Sequence, residues 1–175
     1  MKNFIMKTIT EKEYKIVRDI MNSNKRFLQE NIGMESVDVE FVKKEALDKE
    51  ENGFVSELIM EKDGTVVGFC DYKMGTKMYL SLLMLQKEFQ RIGIGSRFYQ
   101  EFEEELQEKN VKFIRAEVAY SYEESATTFF EKMGFERKRP MEIIWNEHTS
   151  KVYVYEKKLK NKKNKTYLVK QKKLR

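Results

Sequence analysis

The sequence predicts an α+β fold of the three-layer α/β kind, a mixed central sheet of about six to seven strands flanked by helices. Three observations lead there. Residues 78–85 are almost wholly apolar, as a central strand covered on both faces would be. A helix-period segment lies between that run and a β-rich run at 111–119, so the two strands should be parallel and joined by a right-handed crossover. Before them, Lys62-Asp63-Gly64 joins two further β-rich runs, 54–61 and 65–73, as an antiparallel hairpin.

Along the chain, Thr10 and Glu13 have the spacing of a capping box, and Tyr14, Val17, Ile20 and Met21 follow at helical intervals. Val37, Phe41 and Val42 give residues 36–47 a second amphipathic pattern, with Gly33 marking the turn between the two. Two short helices are therefore expected before any strand. After the apolar run, Gly93 and Gly95 open a helix whose apolar stripe is Ile94, Phe98, Phe102 and Leu106, with glutamates on the remaining faces. Ser121 and Glu124 repeat the capping-box spacing. Ala126, Phe129, Phe130 and Met133 then form one apolar face, and Gly134 supplies a C-terminal cap. Residues 141–146 and 151–158 read as closing strands joined by Glu147-His148-Thr149-Ser150.

At 175 residues the chain is one domain of ordinary size, expected at 1–159 with a basic tail at 160–175. No run reaches the eighteen or so apolar residues of a membrane span, and the first residues lack the apolar stretch of a leader, so a cytoplasmic protein without membrane contact is expected. Cys70 is the single cysteine and His148 the single histidine, which rules out a Cys/His zinc cluster; no metal is expected. The net charge of +5 is not evenly spread. Residues 157–175 hold nine Lys and one Arg with no acid, whereas residues 1–156 carry 24 basic against 29 acidic side chains. The tail reads first as a solvated appendage, with RNA or another anionic partner as the sharper alternative.

The stretch Gln90-Arg91-Ile92-Gly93-Ile94-Gly95, between a strand and a helix, offers backbone N–H groups backed by a helix dipole, and Arg91 and Arg97 stand beside it. Such a turn suits phosphate. No Gly-Lys-Ser/Thr follows it, which excludes a Walker A loop, and Phe98 stands where a dinucleotide fingerprint needs its third Gly. By its residues alone the pattern is either a phosphate cradle or a turn-and-packing glycine pair.

Gln90 through Gly95 resembles the Gln/Arg-x-x-Gly-x-Gly/Ala signature of the GNAT acyltransferases. The segment Ser125-Ala126-Thr127-Thr128-Phe129-Phe130-Glu131-Lys132-Met133-Gly134-Phe135 resembles that family's second conserved helix, which ends in Gly-Phe, and the order of elements agrees over roughly residues 4–159. The resemblance implies acetyl-CoA as co-substrate and no metal. It implies a pyrophosphate cradle at Gln90, Arg91, Ile92, Gly93, Ile94, Gly95 and Ser96, with Leu83, Met84 and Leu85 pairing with the pantetheine. The implied chemistry is direct transfer: a neutral amine attacks the thioester, an amide near Leu85 stabilises the oxyanion, and an acid protonates the thiolate.

The family's usual acid, a Tyr on the second helix, is replaced by Phe130, and the Asn at the start of that helix by Glu123. Tyr120 and Tyr122 are the candidate acids. Tyr79 stands near a position where relatives carry a carboxylate base, leaving Glu117 on the following strand as the candidate base. Cys70 reads as a small core residue and His148 as an exposed hairpin residue bordering the acceptor site. The acceptor is open: a small-molecule amine or a peptide or protein amine, with a homodimer compatible. A non-catalytic acyl-CoA-binding module that engages RNA or an anionic partner through the tail is the alternative.

Overall fold

The computed structural model describes residues 2–120 and 123–160, the side chains of 123–125 excepted. Ser121, Tyr122 and the basic tail beyond Lys160 lie outside the described residues, and with Ser121 and the Glu124 side chain left out so does the second expected capping box. The chain runs β1 (Phe4–Thr8), α1 (Tyr14–Ser23), α2 (Lys25–Asn31), α3 (Val39–Glu51), β2 (Val55–Glu61), β3 (Val66–Lys73) and β4 (Lys77–Leu85). It continues with α4 (Ile94–Glu108), β5 (Phe113–Ala119), α5 (Glu123–Lys132), β6 (Glu136–Trp145) and β7 (His148–Lys158). The seven strands form one sheet in the order β1-β2-β3-β4-β5-β7-β6. All neighbours are antiparallel except β4 and β5.

Each face of the sheet has its own core. Val17, Ile20, Met21 and Leu28 of α1 and α2 bury with Leu58, Phe69, Leu82 and Met84. Phe98, Phe102 and Leu106 of α4 bury with Ile59, Val67, Met78, Leu80 and Ile114 on the opposite face. Each such side chain contributes about 1.5–3 kcal/mol when fully buried, so these stripes hold the three layers together.

One irregularity decides the geometry of β4. Asp71 is opposite Leu82 and Tyr72 opposite Leu80, which makes Ser81 an extra residue, a β-bulge. The bulge exchanges the faces. Met78 and Leu80 belong to the α4 core, but beyond Ser81 it is Leu83 and Leu85 that pack there, while Leu82 and Met84 join the α1–α3 core.

Strand β1 precedes the helices, contrary to the expectation that helices come first. It is a five-residue edge strand with only Phe4 buried, too short to show alternation in the sequence. Asn24 interrupts the first helical region and α2 follows it, again unforeseen. The expected capping box does form: Thr10 donates its N–H (2.8 Å) and its hydroxyl (2.6 Å) to Glu13. Lys7 donates to the same carboxylate at 2.7 Å, and these partners, Lys7 first, hold the Glu13 carboxyl down to about 2.

The closing hairpin turns earlier than its sequence suggests. Asn146 and Glu147 occupy the two turn positions with φ of 50° and 62°, the left-handed pair of a tight two-residue turn. His148 is therefore in β7, half-buried, with Nε2 at 3.0 Å from the Glu30 carbonyl oxygen, and not exposed in a loop. Trp145 donates Nε1–H to Glu45 at 2.8 Å and Ser150 donates its hydroxyl to the Asn31 carbonyl at 3.1 Å. These contacts fasten the hairpin onto α2 and α3. Strand β6 also begins before residue 141; Pro140 sits at a register shift on this edge strand, where its missing N–H breaks no ladder.

A Cβ on Gly68 would stand 2.3 Å from the Met84 carbonyl oxygen and 2.8 Å from the Leu85 side chain. Gly68→Ala is expected to push β3 away from the end of β4 and to cost about 1–3 kcal/mol. The measurement is urea unfolding, where the midpoint should fall with an unchanged m-value.

Candidate active site

Strands β4 and β5 pair only from Lys77 with Phe113 to Leu80 with Ala116. Beyond that rung each follows its outer neighbour: β4 stays with β3 through Leu85, and β5 stays with β7 through Ala119. The seam between them opens into a cleft of about 800 Å³. Residues 81–85 form one wall and Glu117, Val118, Ala119 and Tyr120 the other, with Ala126, Phe129 and Phe130 of α5 on the α4 side. At the foot of the cleft lie Gln90, Arg91, Gly93, Gly95 and Ser96.

The turn at that foot is held by backbone geometry and one polar network. Gly93 has φ of +86° and is the N-cap of α4, while Arg91 is also left-handed at 63°. The first amides of α4 have no partner inside the helix, and Gly93, Gly95 and Ser96 bring this helix start to the lining of the cleft. Gln90 donates its Nε2–H to Asn24 Oδ1 (2.6 Å) and to the Leu85 carbonyl (2.9 Å). Asn24, itself buried, donates Nδ2–H to the Leu85 carbonyl (3.0 Å) and to that of Ile20 (2.9 Å). The Gln90 side chain thus ties the end of β4 to the α1–α2 junction.

Of the residues singled out in the sequence, Leu83, Met84, Leu85, Gln90, Arg91, Gly93, Gly95, Ser96, Glu117 and Tyr120 line the cleft. Ile92 does not; it is 64% exposed, and Ile94 is buried in the core beneath α4. Arg97 is turned away from the cleft, with its guanidinium over the Phe4 ring and 3.7 Å from Glu61. Asn24, Arg26, Phe27 and Ser81 also line the cleft and were not foreseen. The only local sign of them is the break in helical periodicity at Asn24.

Groups able to move protons lie on the β5 side. Glu117 accepts from the Tyr79 hydroxyl at 2.7 Å through Oε2 and from Arg115 at 2.7 Å through Oε1. Burial, and then the hydrogen bond to Glu117, push the Tyr79 phenol well above its ordinary value, so it remains a donor at any working pH. Tyr120 stacks on Tyr153 with ring centroids 4.3 Å apart and planes at 7°, and Arg137 lies 4.6 Å from the Tyr153 ring. Phe130 is packed among the rings of Phe129, Phe135 and Tyr155 and carries no hydroxyl. Cys70 is fully buried, and burial drives its thiol well up, which leaves it inert as a nucleophile.

A family model described as the acetyltransferase (GNAT) domain matches residues 23–144. A search of curated proteins with this sequence finds no match. Among solved structures, an acetyltransferase from Thermus thermophilus is 23% identical, with a TM-score of 0.72 over 90% of this chain and 97% of that one. A ribosomal-protein-alanine N-acetyltransferase from Brucella melitensis is 18% identical, with a TM-score of 0.64 over 89% and 99%. A ribosomal L7/L12 alpha-N-protein acetyltransferase in complex with coenzyme A is 14% identical, with a TM-score of 0.71 over 91% and 96%.

Gln90→Leu would leave the Asn24 amide oxygen without its donor in a buried position. The variant is expected to lose about 1–3 kcal/mol, measured by urea unfolding. Its amide protons around residues 85–93 should also exchange faster than in the parent.

Proposed function

The chain belongs to the GNAT acetyltransferase family, and from that premise we propose that it moves the acetyl group of acetyl-CoA directly to a primary amine presented beside Glu117. The observation that carries this reading is the open seam between β4 and β5, which runs without interruption from the glycine turn to the Glu117 carboxylate.

The residues present suit the co-substrate. An added Cβ on Gly93 would meet nothing within 4 Å, so the space in front of the turn is open to a pyrophosphate. A Cβ added to Gly95 would come into van der Waals contact with Leu85 and Phe129, so a larger residue there would narrow the cleft. Arg91 through Ser96 would hold phosphate oxygens by backbone N–H groups, a role that asks for a helix N-terminus and small residues. Leu83, Met84 and Leu85 have no β5 partner, which suits the pantetheine amides as a pseudo-strand. Acetyl-CoA supplies the activated acyl group.

In the transfer itself, Glu117 takes the proton of the attacking amine, directly or through one water. The carbonyl oxygen gathers charge against a backbone amide near Leu85. Phe130 has no proton to give, so the departing thiolate takes one from the Tyr120 phenol. Protein N-termini are the first acceptors to test, because two of the structural relatives are ribosomal-protein N-acetyltransferases; small amines are the second.

Release of free CoA thiol across a panel of N-terminal peptides, lysine peptides and small amines tests the reading. Gly93→Val combines a β-branched side chain with a φ that such residues avoid. It is expected to abolish acetyl-CoA binding in calorimetry while the circular dichroism of the fold is kept; retained binding would show that the phosphate site lies elsewhere. Tyr120→Phe is expected to lower kcat by about 10-fold or more, as loss of a general acid does, with little change in the KM for acetyl-CoA. An unchanged kcat would assign thiolate protonation to water.

A further inference from the structure

Among the described residues lining the cleft, Glu117 alone is acidic. Its side chain is held at both oxygens, and the way it is held follows from strand register. Tyr79 and Arg115 are Cα partners on the parallel pair β4 and β5, so their side chains stand side by side. Glu117 is two residues beyond Arg115 and therefore on the same face of β5. It is also the first residue past the last paired rung, Leu80 with Ala116, and so stands where the two strands begin to part.

We propose that Tyr79 and Arg115 form a clamp that aims the Glu117 carboxylate into the cleft, which makes both of them positioning residues for removal of the acceptor's proton. The inference rests on the assignment of Glu117 as the base. A carboxylate offers about four acceptor positions. Tyr79 and Arg115 take one on each oxygen, leaving the remainder for a substrate N–H or a bridging water. A free Glu side chain has several rotatable bonds and would sample directions away from the amine; two donors from two strands select one. The same arrangement explains how the site manages with Tyr79 near the place where a β4 carboxylate could stand: the strand next to it supplies the acid group and β4 supplies the hydroxyl that orients it.

Tyr79→Phe tests this with the ring contact to Phe54, 5.8 Å between centroids, left in place. Two small acceptors are compared at pH 7 by thiol release: glycinamide, an α-amine largely protonated at that pH, and hydroxylamine, largely neutral there. Turnover of glycinamide is expected to fall about 10-fold or more, and that of hydroxylamine, after subtraction of its uncatalysed reaction with the thioester, by clearly less, because glycinamide must give up a proton both before and after attack and hydroxylamine only after it. Acetyl-CoA affinity by calorimetry should not change. Arg115→Gln, which breaks the second contact, should show the same split and serves if the first variant folds poorly. Equal losses on both acceptors would mark Tyr79 as structural and overturn the clamp. A full glycinamide rate in Tyr79→Phe, beside a strongly impaired Glu117→Gln, would overturn the clamp but keep Glu117 as base. An unimpaired Glu117→Gln would remove the base assignment, and the clamp with it.

Discussion

The parting of β4 from β5 after Leu80 is the constraint on which the rest of the structure depends. Strands inside a sheet normally satisfy their backbone groups on both sides. Here each strand keeps one partner and gives up the other, β4 remaining with β3 and β5 with β7. The inner edges therefore carry backbone donors and acceptors that no strand uses, and a cleft runs between them. The bulge at Ser81 lies where the separation begins, and it turns Leu83 and Leu85 toward α4 and α5 while Leu82 and Met84 anchor the strand to the other layer. The wall exposed along one edge is thus packed on both faces, Leu82 and Met84 buried on one and Leu83 and Leu85 partly buried on the other.

Polar ties keep the parts of the cleft in register. Asn24 and Gln90 converge on the Leu85 carbonyl, joining the α1–α2 junction, the end of β4 and the glycine turn at one point. On the far side, the β6–β7 hairpin is fastened to α2 and α3 by Trp145, His148 and Ser150. The pair of half-buried Lys49 with buried Asp71 links α3 to β3 beneath it. Such pairs add little net stability after desolvation, but removing one partner would strand a charge, so they favour one arrangement of helices over others.

Cofactor binding and proton transfer draw on different kinds of chemistry. In the proposed reading the glycine turn would hold phosphate through backbone amides and through the absence of side chains, which makes that role indifferent to most of its neighbours. Proton transfer needs particular side chains at particular distances. The side chains proposed for it meet where β4 and β5 part, Tyr79 of β4 and Arg115 of β5 both bonding to Glu117, with Tyr120 stacked on Tyr153 close by. The apolar packing of Phe130 makes the α5 side a wall of the cleft with no proton donor at that residue.

Features written in local periodicity were legible in the sequence. The apolar run of β4, the β2–β3 hairpin, the stripe of α4 with its glycine N-cap, and the Thr10 and Glu13 capping box each depend on residues a few positions apart, and each forms as expected. The strand β1, the helix α2 and the tight Asn146-Glu147 turn escaped because they are too short to show a period. Most of the candidate site's composition was also readable, because a glycine turn between strand and helix is a local object. Its working geometry was not. That Ser81 is a bulge, that Gln90 reaches Asn24, and that Tyr79 faces Arg115 and meets Glu117 are matters of register between segments far apart in the chain. Register across a sheet is decided by which faces are buried and which strands can pair, and only the folded chain brings those conditions together.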